Sequence, residues 1–432
     1  MATIKKRVEV PVQSLRLGQY VHSLDRDWSE TPFLFQGFQI ETQEELSQLR
    51  HLCKTVQIEV TAEEADKILT LQRAAPPPLQ EAKAPTVVLR RPDPLQLLAA
   101  DPKALAETVP VRDEVSVRNE IVHAKVAMDG AREVVLDVFS QLKNGGGLDT
   151  KSVNSAVDSM VTSVFRNRDA MGWLARMRKK DDYLYSHSLS TSVWALTFGR
   201  HLGLDKDTLK LLGTGAMLLD VGKTRMPDHL LRKPESLSPT EWKLLRLHAR
   251  YGAQMLRRSD EDLDPRIIEM VEFHHERLDG MGYSSGLQGD QIPLLARIAG
   301  IVDSYDAMIT QRAYAGAKTA YQAVTELTSL AGTAFQPELV ELFVQAVGVF
   351  PTGTLVELNT GEVGVVVTQN RYRRLKPEIM LILDAAKQVR EEFPVVDLFT
   401  CDENSDPANP KLWITDALEQ GAYGIDPAEY FL

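Results

Sequence analysis

Apolar positions change their rhythm several times along this chain, and each change predicts a different architecture. Over residues 1–71, short β-like runs at Val8-Glu9-Val10, Phe33-Leu34-Phe35 and Val56-Gln57-Ile58-Glu59-Val60 predict strands, and Thr42–Leu52 predicts a helix. This is the pattern of a small α+β domain. Residues 72–112 break it, because APPP, KAP, RRPDP and DPK place prolines too close together for a helix and predict an extended linker. From Asp113 to about Gly348 the interval becomes three and four, as in Val117, Ile121, Ala124 and Met128, which predicts a helical domain over 113–350. Asn144-Gly145-Gly146-Gly147 stops the first long helix. Ser238-Pro239-Thr240-Glu241 supplies the cap, first-turn proline and glutamate that start another, and Asp264-Pro265 repeats the cap-then-proline device. Past Phe350-Pro351 the period returns to two. Thr354–Leu358 and Val363–Val367 flank the turn Asn359-Thr360-Gly361-Glu362 as a hairpin, and Ile379–Leu383 adds a third strand. Residues 351–432 are therefore expected to form a small β-rich extension shielding one side of the helices. The fold class is multidomain: an all-α bundle as the main domain, an α+β domain before it and a β-rich extension after it.

Composition narrows the functions open to such a chain. Its 432 residues exceed what one hydrophobic core usually organises. A net charge of −11 argues against a DNA-binding coat, because neutralising phosphates along a duplex needs a basic face. It leaves room for a small phosphorylated ligand if a metal centre and a few lysines or arginines meet it locally. No apolar run reaches the ~18 residues of a membrane span, and MATIKKRVEVPVQSLRLG lacks the apolar core of a secretory signal. The two cysteines, Cys53 and Cys401, are far apart, which fits a reducing cytoplasm and no disulfide scaffold.

Candidate chemistry gathers in the helical region. His274 and His275 stand side by side in EFHHERLDGMGY, where adjacent helical residues would point about 100° apart. A glycine-bearing loop follows, with Asp279-Gly280 and Gly282-Tyr283 able to hold an aromatic ring against a ligand. His187 in YLYSHSLS, Asp220 in MLLDVGK, His248 in LRLHARYG and Asp303 in AGIVDSYDAM complete the set. His248 falls on the stripe Leu244, His248, Tyr251, Met255, and His274 on Ile267, Val271, His274, Leu278. Asp303 falls among small residues, Ala296 and Ala299 or Gly300, that let another helix approach closely. Burying a carboxylate on such a face is costly unless it is paired or metal-bound. Imidazole with carboxylate is the donor chemistry of iron, manganese or zinc hydrolase sites.

The run from about 180 to 345 resembles the HD-GYP domain, an all-α member of the HD metal-dependent phosphohydrolase superfamily of bacterial signalling. HHERLDGMGY, PLLARIAGIVDSYDAMI and QRAY carry the resemblance, and residues 1–71 resemble the small domain that often precedes it. The resemblance implies a cytoplasmic phosphodiesterase that opens cyclic di-GMP to linear pGpG and onward to GMP. It implies two divalent ions, iron or manganese before magnesium or zinc. His187, Asp220 and Asp303 would hold the first, and His248, His274 and His275 the second, with Asp220 bridging. Lys223 would neutralise a phosphate oxygen, and Tyr283 and Arg312 would contact a guanine or phosphate. Signalling proteins would dock through the Gly282-Tyr283-Ser284 loop or the N-terminal domain.

Four positions depart from the family pattern. Leu219 replaces the histidine of the His-Asp pair, and Tyr183 replaces a glutamate that supports a third metal. Ser284 replaces the proline of Gly-Tyr-Pro, which is expected to relax the loop, and Ala315 removes a second basic residue after Arg312. Leucine cannot ligate, so the first ion keeps one imidazole and two carboxylates, a harder site suited to manganese or magnesium rather than zinc. The same loss favours an alternative, a catalytically degenerate module that binds cyclic di-GMP or protein partners without hydrolysis.

Overall fold

The computed structural model describes residues 5–25, 38–40, 43–61, 113–177, 183–260, 262–310, 317–370, 375–403, 411–419 and 421–431. The expected strand at Phe33-Leu34-Phe35 and the linker over 72–112 lie outside them. Two compact units divide the chain, Met1–Leu89 and Arg90–Leu432.

In the first unit, β1 (Lys5–Pro11), β2 (Tyr20–Leu24), β3 (Phe38–Gln39) and β4 (Thr55–Thr61) form a sheet in the order β1-β4-β2-β3, with α1 at Gln43–Leu52. Alternation along β4 explains the layer: Val56, Ile58 and Val60 are buried, and Val8 and Val10 face Ile58 and Val56 across the antiparallel ladder. Leu46 and Leu49 of α1 close over that apolar face.

The second unit is led by helices: α2 (Val117–Lys143), α3 (Thr150–Arg166), α4 (Arg168–Arg176), α5 (Tyr183–His201) and α6 (Lys206–Leu218). After a 3-10 turn at Val221–Arg225 come α7 (Asp228–Leu231), α8 (Pro239–Leu245), α9 (His248–Ser259), α10 (Pro265–Phe273) and α11 (Leu294–Ile309), then α12 (Ala320–Ser329) and α13 (Pro337–Val347). The start signals act as read: Ser238 and Glu241 form a capping box on α8, and Asp264 caps α10 ahead of Pro265. α5 is buried around most of its girth, polar residues included, and is wrapped by α6, α4, α11 and α13.

The C-terminal segment contains β5 (Leu355–Leu358), β6 (Val363–Thr368), β7 (Glu378–Leu383), β8 (Val395–Asp397) and β9 (Ile414–Ala417), with α14 (Leu398–Glu403) and α15 (Ala428–Phe431). The hairpin and third strand form as expected, in a five-stranded antiparallel sheet of order β8-β7-β6-β5-β9. The two outer strands were not apparent in the sequence, because they are short and Val395 is exposed. The sheet does more than shield the helices. Leu355, Val363, Val365, Ile382 and Leu383 belong to the helical core, whereas Val356, Leu358, Val366, Ile379 and Leu381 build a separate one behind the sheet. Burial on both faces accounts for the unbroken apolar runs of β6 and β7. At the junction Gly353 adopts φ +87, and a Cβ there would lie 3.3 Å from the fully buried ring of Trp173. Trp173→Ala should lower the unfolding free energy by about 3–5 kcal/mol through the cavity it leaves, read as a shifted urea midpoint at unchanged slope.

Candidate metal centre

The six candidate ligands come from five places in the helical unit, and four of the six sit where a helix begins or ends. Asp220 follows α6 and caps the 3-10 turn, His248 opens α9, and His274 is the residue on which α10 stops. His275 follows in the turn. Ending the helix at Phe273 releases the pair from the 100° divergence expected of a continuous helix, and their rings lie 4.0 Å apart. The stripes drawn through Leu244 and Leu278 do not persist, since Leu244 lies in α8 and Leu278 beyond α10. His187 and Asp303 project from α5 and α11, whose axes pack together.

These side chains form two groups. Ligand atoms of His248, His274 and His275 all lie within 4.8 Å of one another, and so do those of His187, Asp220 and Asp303. The carboxylates stand between the groups. Asp220 places Oδ2 3.5 Å from His187 Nε2 and Oδ1 3.4 Å from His248 Nε2. Asp303 places Oδ1 2.9 Å from His187 Nε2 and Oδ2 3.9 Å from His275 Nδ1. Close backbone approach makes this possible. A Cβ on Gly222 would lie 1.9 Å from the His248 carbonyl oxygen, so the turn carrying Asp220 presses directly on α9. On α11, a Cβ at Gly300 would lie 2.7 Å from the His274 carbonyl oxygen.

The donor set fits a divalent cation. Nδ1 of His248 meets Leu245 O at 2.7 Å and Nδ1 of His274 meets Val271 O at 2.8 Å, which fixes the proton on Nδ1 and turns each Nε2 lone pair inward. His248 Nε2, His274 Nε2 and Asp220 Oδ1 are buried and make no hydrogen bond among the described residues. Leaving such atoms unpaired costs about 1–3 kcal/mol each, and a cation among them would satisfy all three. Charge is arranged to match. Burial, reinforced by the Lys223 ammonium, pushes His248 down to about 4. Burial also lowers His274, and burial together with His274 takes His275 well below its usual range, so these imidazoles are neutral. Burial opposes charge on Asp220, but Lys223, His248 and His187 outweigh it and hold the carboxyl near 2. Asp303 is likewise held well below the ordinary carboxylate range: burial opposes its charge, and the His187 hydrogen bond with His275 prevails. For His187 burial would depress the ring, yet hydrogen bonds to Asp303 and Asp306 raise it to about 9.

Around this centre, Lys223 Nζ lies 2.5 Å from Asp220 Oδ2. The ring of Tyr283 stacks on His275 at 4.5 Å, its backbone N–H donates to His275 O, and the Arg246 guanidinium covers it at 5.2 Å. Burial and the nearby Asp303 and Asp220 raise the phenol, keeping it a neutral donor. Arg312 lies outside the described residues. Ser284 does not leave the loop loose. Its hydroxyl donates to Glu272 O at 2.9 Å, a bond proline could not make, and its backbone carbonyl accepts from Arg250 at 2.9 Å. Leu219 points the other way from Asp220, 2% exposed within the helical core.

Two acidic residues were given no role from the sequence. Glu276 accepts hydrogen bonds from the backbone N–H groups of Ser285, Gly286 and Leu287, pinning the loop beyond Tyr283. Asp306 lies one turn after Asp303 and meets the far side of His187. The i, i+3 spacing in DSYD was the available signal.

Comparison with known proteins gives the chain's family. Residues 173–339 match the HD domain, residues 7–153 a domain of unknown function (DUF3391), and residues 355–403 the KOW domain associated with the HD domain. A cyclic di-GMP phosphodiesterase of Pseudomonas aeruginosa is 33% identical over 391 residues, 90% of this chain and 88% of its own length. A 3'3'-cGAMP-specific phosphodiesterase of Vibrio cholerae is 34% identical over 202 residues, 46% of this chain and 38% of that protein. A solved HDG"Y"P protein from Bdellovibrio bacteriovorus is 18% identical with a TM-score of 0.45, covering 78% of this chain and 98% of that one. The chain belongs to the HD-GYP family of HD-domain proteins.

The neutral state of His248 sets a pH dependence. The unfolded chain takes up that proton near 6.5, while the folded one refuses it until about 4. Stability of the metal-free protein should therefore fall as pH drops through this window, by on the order of 3 kcal/mol for this group. Denaturation midpoints of wild type and His248→Gln at pH 7 and pH 4.5 check it; the variant should show the flatter dependence.

Proposed function

We propose that this protein is a metal-dependent phosphodiesterase that hydrolyses cyclic di-GMP to linear pGpG and onward to GMP. The observation that carries the reading is a pair of three-donor groups with the carboxylates of Asp220 and Asp303 between them and the Lys223 ammonium on Asp220. His187, Asp220 and Asp303 would hold one ion, and His248, His274 and His275 the other, with Asp220 facing both. Iron or manganese suits the mixture of imidazole and carboxylate. Bound there, such ions supply an activated water and steady the leaving oxygen of a phosphodiester.

The chain's own residues would do the rest. Lys223 presents a charge where a phosphate oxygen would approach Asp220, and Tyr283, its ring between His275 and Arg246, offers a neutral hydroxyl to a guanine. Arg312, in the position of the family's basic residue, would add a phosphate contact. The same chemistry serves related cyclic dinucleotides, and the Vibrio cholerae relative named for 3'3'-cGAMP makes that ligand the natural competitor.

A second reading has its own support. Leu219 is sunk in the apolar core, so the first ion lacks a donor and the domain would bind cyclic di-GMP without turning it over. The two readings separate in one assay of the full chain, reconstituted anaerobically with ferrous or manganese ion and given cyclic di-GMP or 3'3'-cGAMP. Linear product from cyclic di-GMP, faster than from 3'3'-cGAMP, is the expected outcome. Micromolar binding with no product under either metal overturns hydrolysis in favour of the binding module. Leu219→His should raise turnover by at least about 10-fold, the usual scale for a repaired ligand shell.

A further inference from the structure

We propose that Asp306 is a positioning residue for the ligand-poor half of the centre, holding His187 in the tautomer and orientation that a metal ion requires. The inference rests on the metal-centre reading above and goes beyond it, since Asp306 is not among the ligands. Its basis is a difference between the histidines. His248 and His274 each fix Nδ1 on the backbone carbonyl three residues earlier in the chain, a contact that does not depend on the partner's residue type. His187 instead meets a carboxylate from another helix: its Nδ1 lies 2.7 Å from Asp306 Oδ2.

Asp303 and Asp306 share one face of α11 at i and i+3, and they take opposite nitrogens of the same ring. Nε2, beside Asp303 and Asp220, is the nitrogen turned to the centre; Nδ1 is turned away from it. Asp306 is itself held. The indole Nε1 of Trp194 donates to Asp306 Oδ1 at 3.0 Å, and Thr310 Oγ1 lies 3.4 Å from Oδ2. Trp194 and Asp306 are both buried, 3% and 1% exposed, so solvent cannot replace either contact. The chain Trp194–Asp306–His187 locks Nδ1 as the donor and leaves Nε2 for the ion. A carboxylate behind a metal-bound imidazole makes the ring a better donor than a carbonyl does. This support falls on the one group of ligands that Leu219 has left short.

The test reads metal binding directly. Asp306→Asn keeps the size and an acceptor for His187 but removes the charge. In anaerobic manganese titrations of the full chain, with bound metal counted by elemental analysis, the weaker step should weaken by about 10–100-fold while the tighter step stays put. Trp194→Phe with Asp306→Asn removes the indole donor that asparagine would strand and should give the same selective loss. Equal affinities for both steps in wild type and variants would overturn the role of Asp306 alone. A parallel weakening of both steps, with a lower melting temperature of the metal-free protein, would mark a merely structural residue and overturn it as well. Wild-type protein that takes up no divalent ion would instead remove the metal-centre reading on which the inference stands.

Discussion

Two buried carboxylates set the terms for the whole helical unit. Asp220 and Asp303 are 1% and 5% exposed, at a depth where an unpaired charge is prohibitive. Close approaches in the helical unit surround them: α9 against the 3-10 turn at Gly222, α11 against the His274 turn at Gly300, and the His187 ring of α5 between Asp303 and Asp306. The surroundings are mostly imidazoles kept neutral by burial, with one ammonium and one charged ring. The neutral imidazoles leave the lone pairs of His248 Nε2 and His274 Nε2 unsatisfied among the described residues, beside Asp220 Oδ1 in the same state. Those inward-facing lone pairs, and not any single motif, make a cation the natural occupant.

Much of this was legible before the fold was known, for reasons that differ by residue. Asp303 was visible because a carboxylate on a small-residue stripe is an anomaly of helical periodicity, and His187 gained its role through the family motif. The capping box at Ser238 and the Asp264-Pro265 start were visible because local hydrogen bonding dictates them. The convergence of His248 with the His274-His275 pair was less so. Those residues sit at helix ends, where periodicity stops carrying information, and stripes extended through Leu244 and Leu278 ran past the real boundaries. Ser284 shows the same limit from another side. Its residue type suggested a looser loop, but the hydroxyl's partner, Glu272, lies 12 positions away and depends on where α10 ends.

Leu219 and Asp220 illustrate how one step of backbone separates two environments. They are neighbours at the end of α6, yet one faces the apolar core and the other the carboxylate–imidazole cluster. A leucine is at home in the first environment, which explains why the substitution leaves the surrounding packing coherent. Its effect falls on chemistry and spares the fold. The His187–Asp306–Trp194 chain backs the same group of ligands with side-chain hydrogen bonds between α5 and α11.

The C-terminal sheet carries a different kind of consequence. Its sequence announces a new segment, with a new period and turns of its own, yet one face of β6 is continuous with the helical interior. Compositional seams and mechanical seams therefore fall in different places in this protein. The helical core residues that Val363 and Val365 cover would be left facing water if the strands were exchanged for those of an unrelated sequence, so the sheet and bundle can diverge only in step. Recombination at the visible seam would break an interior surface, and inheritance of the two parts together follows from packing alone.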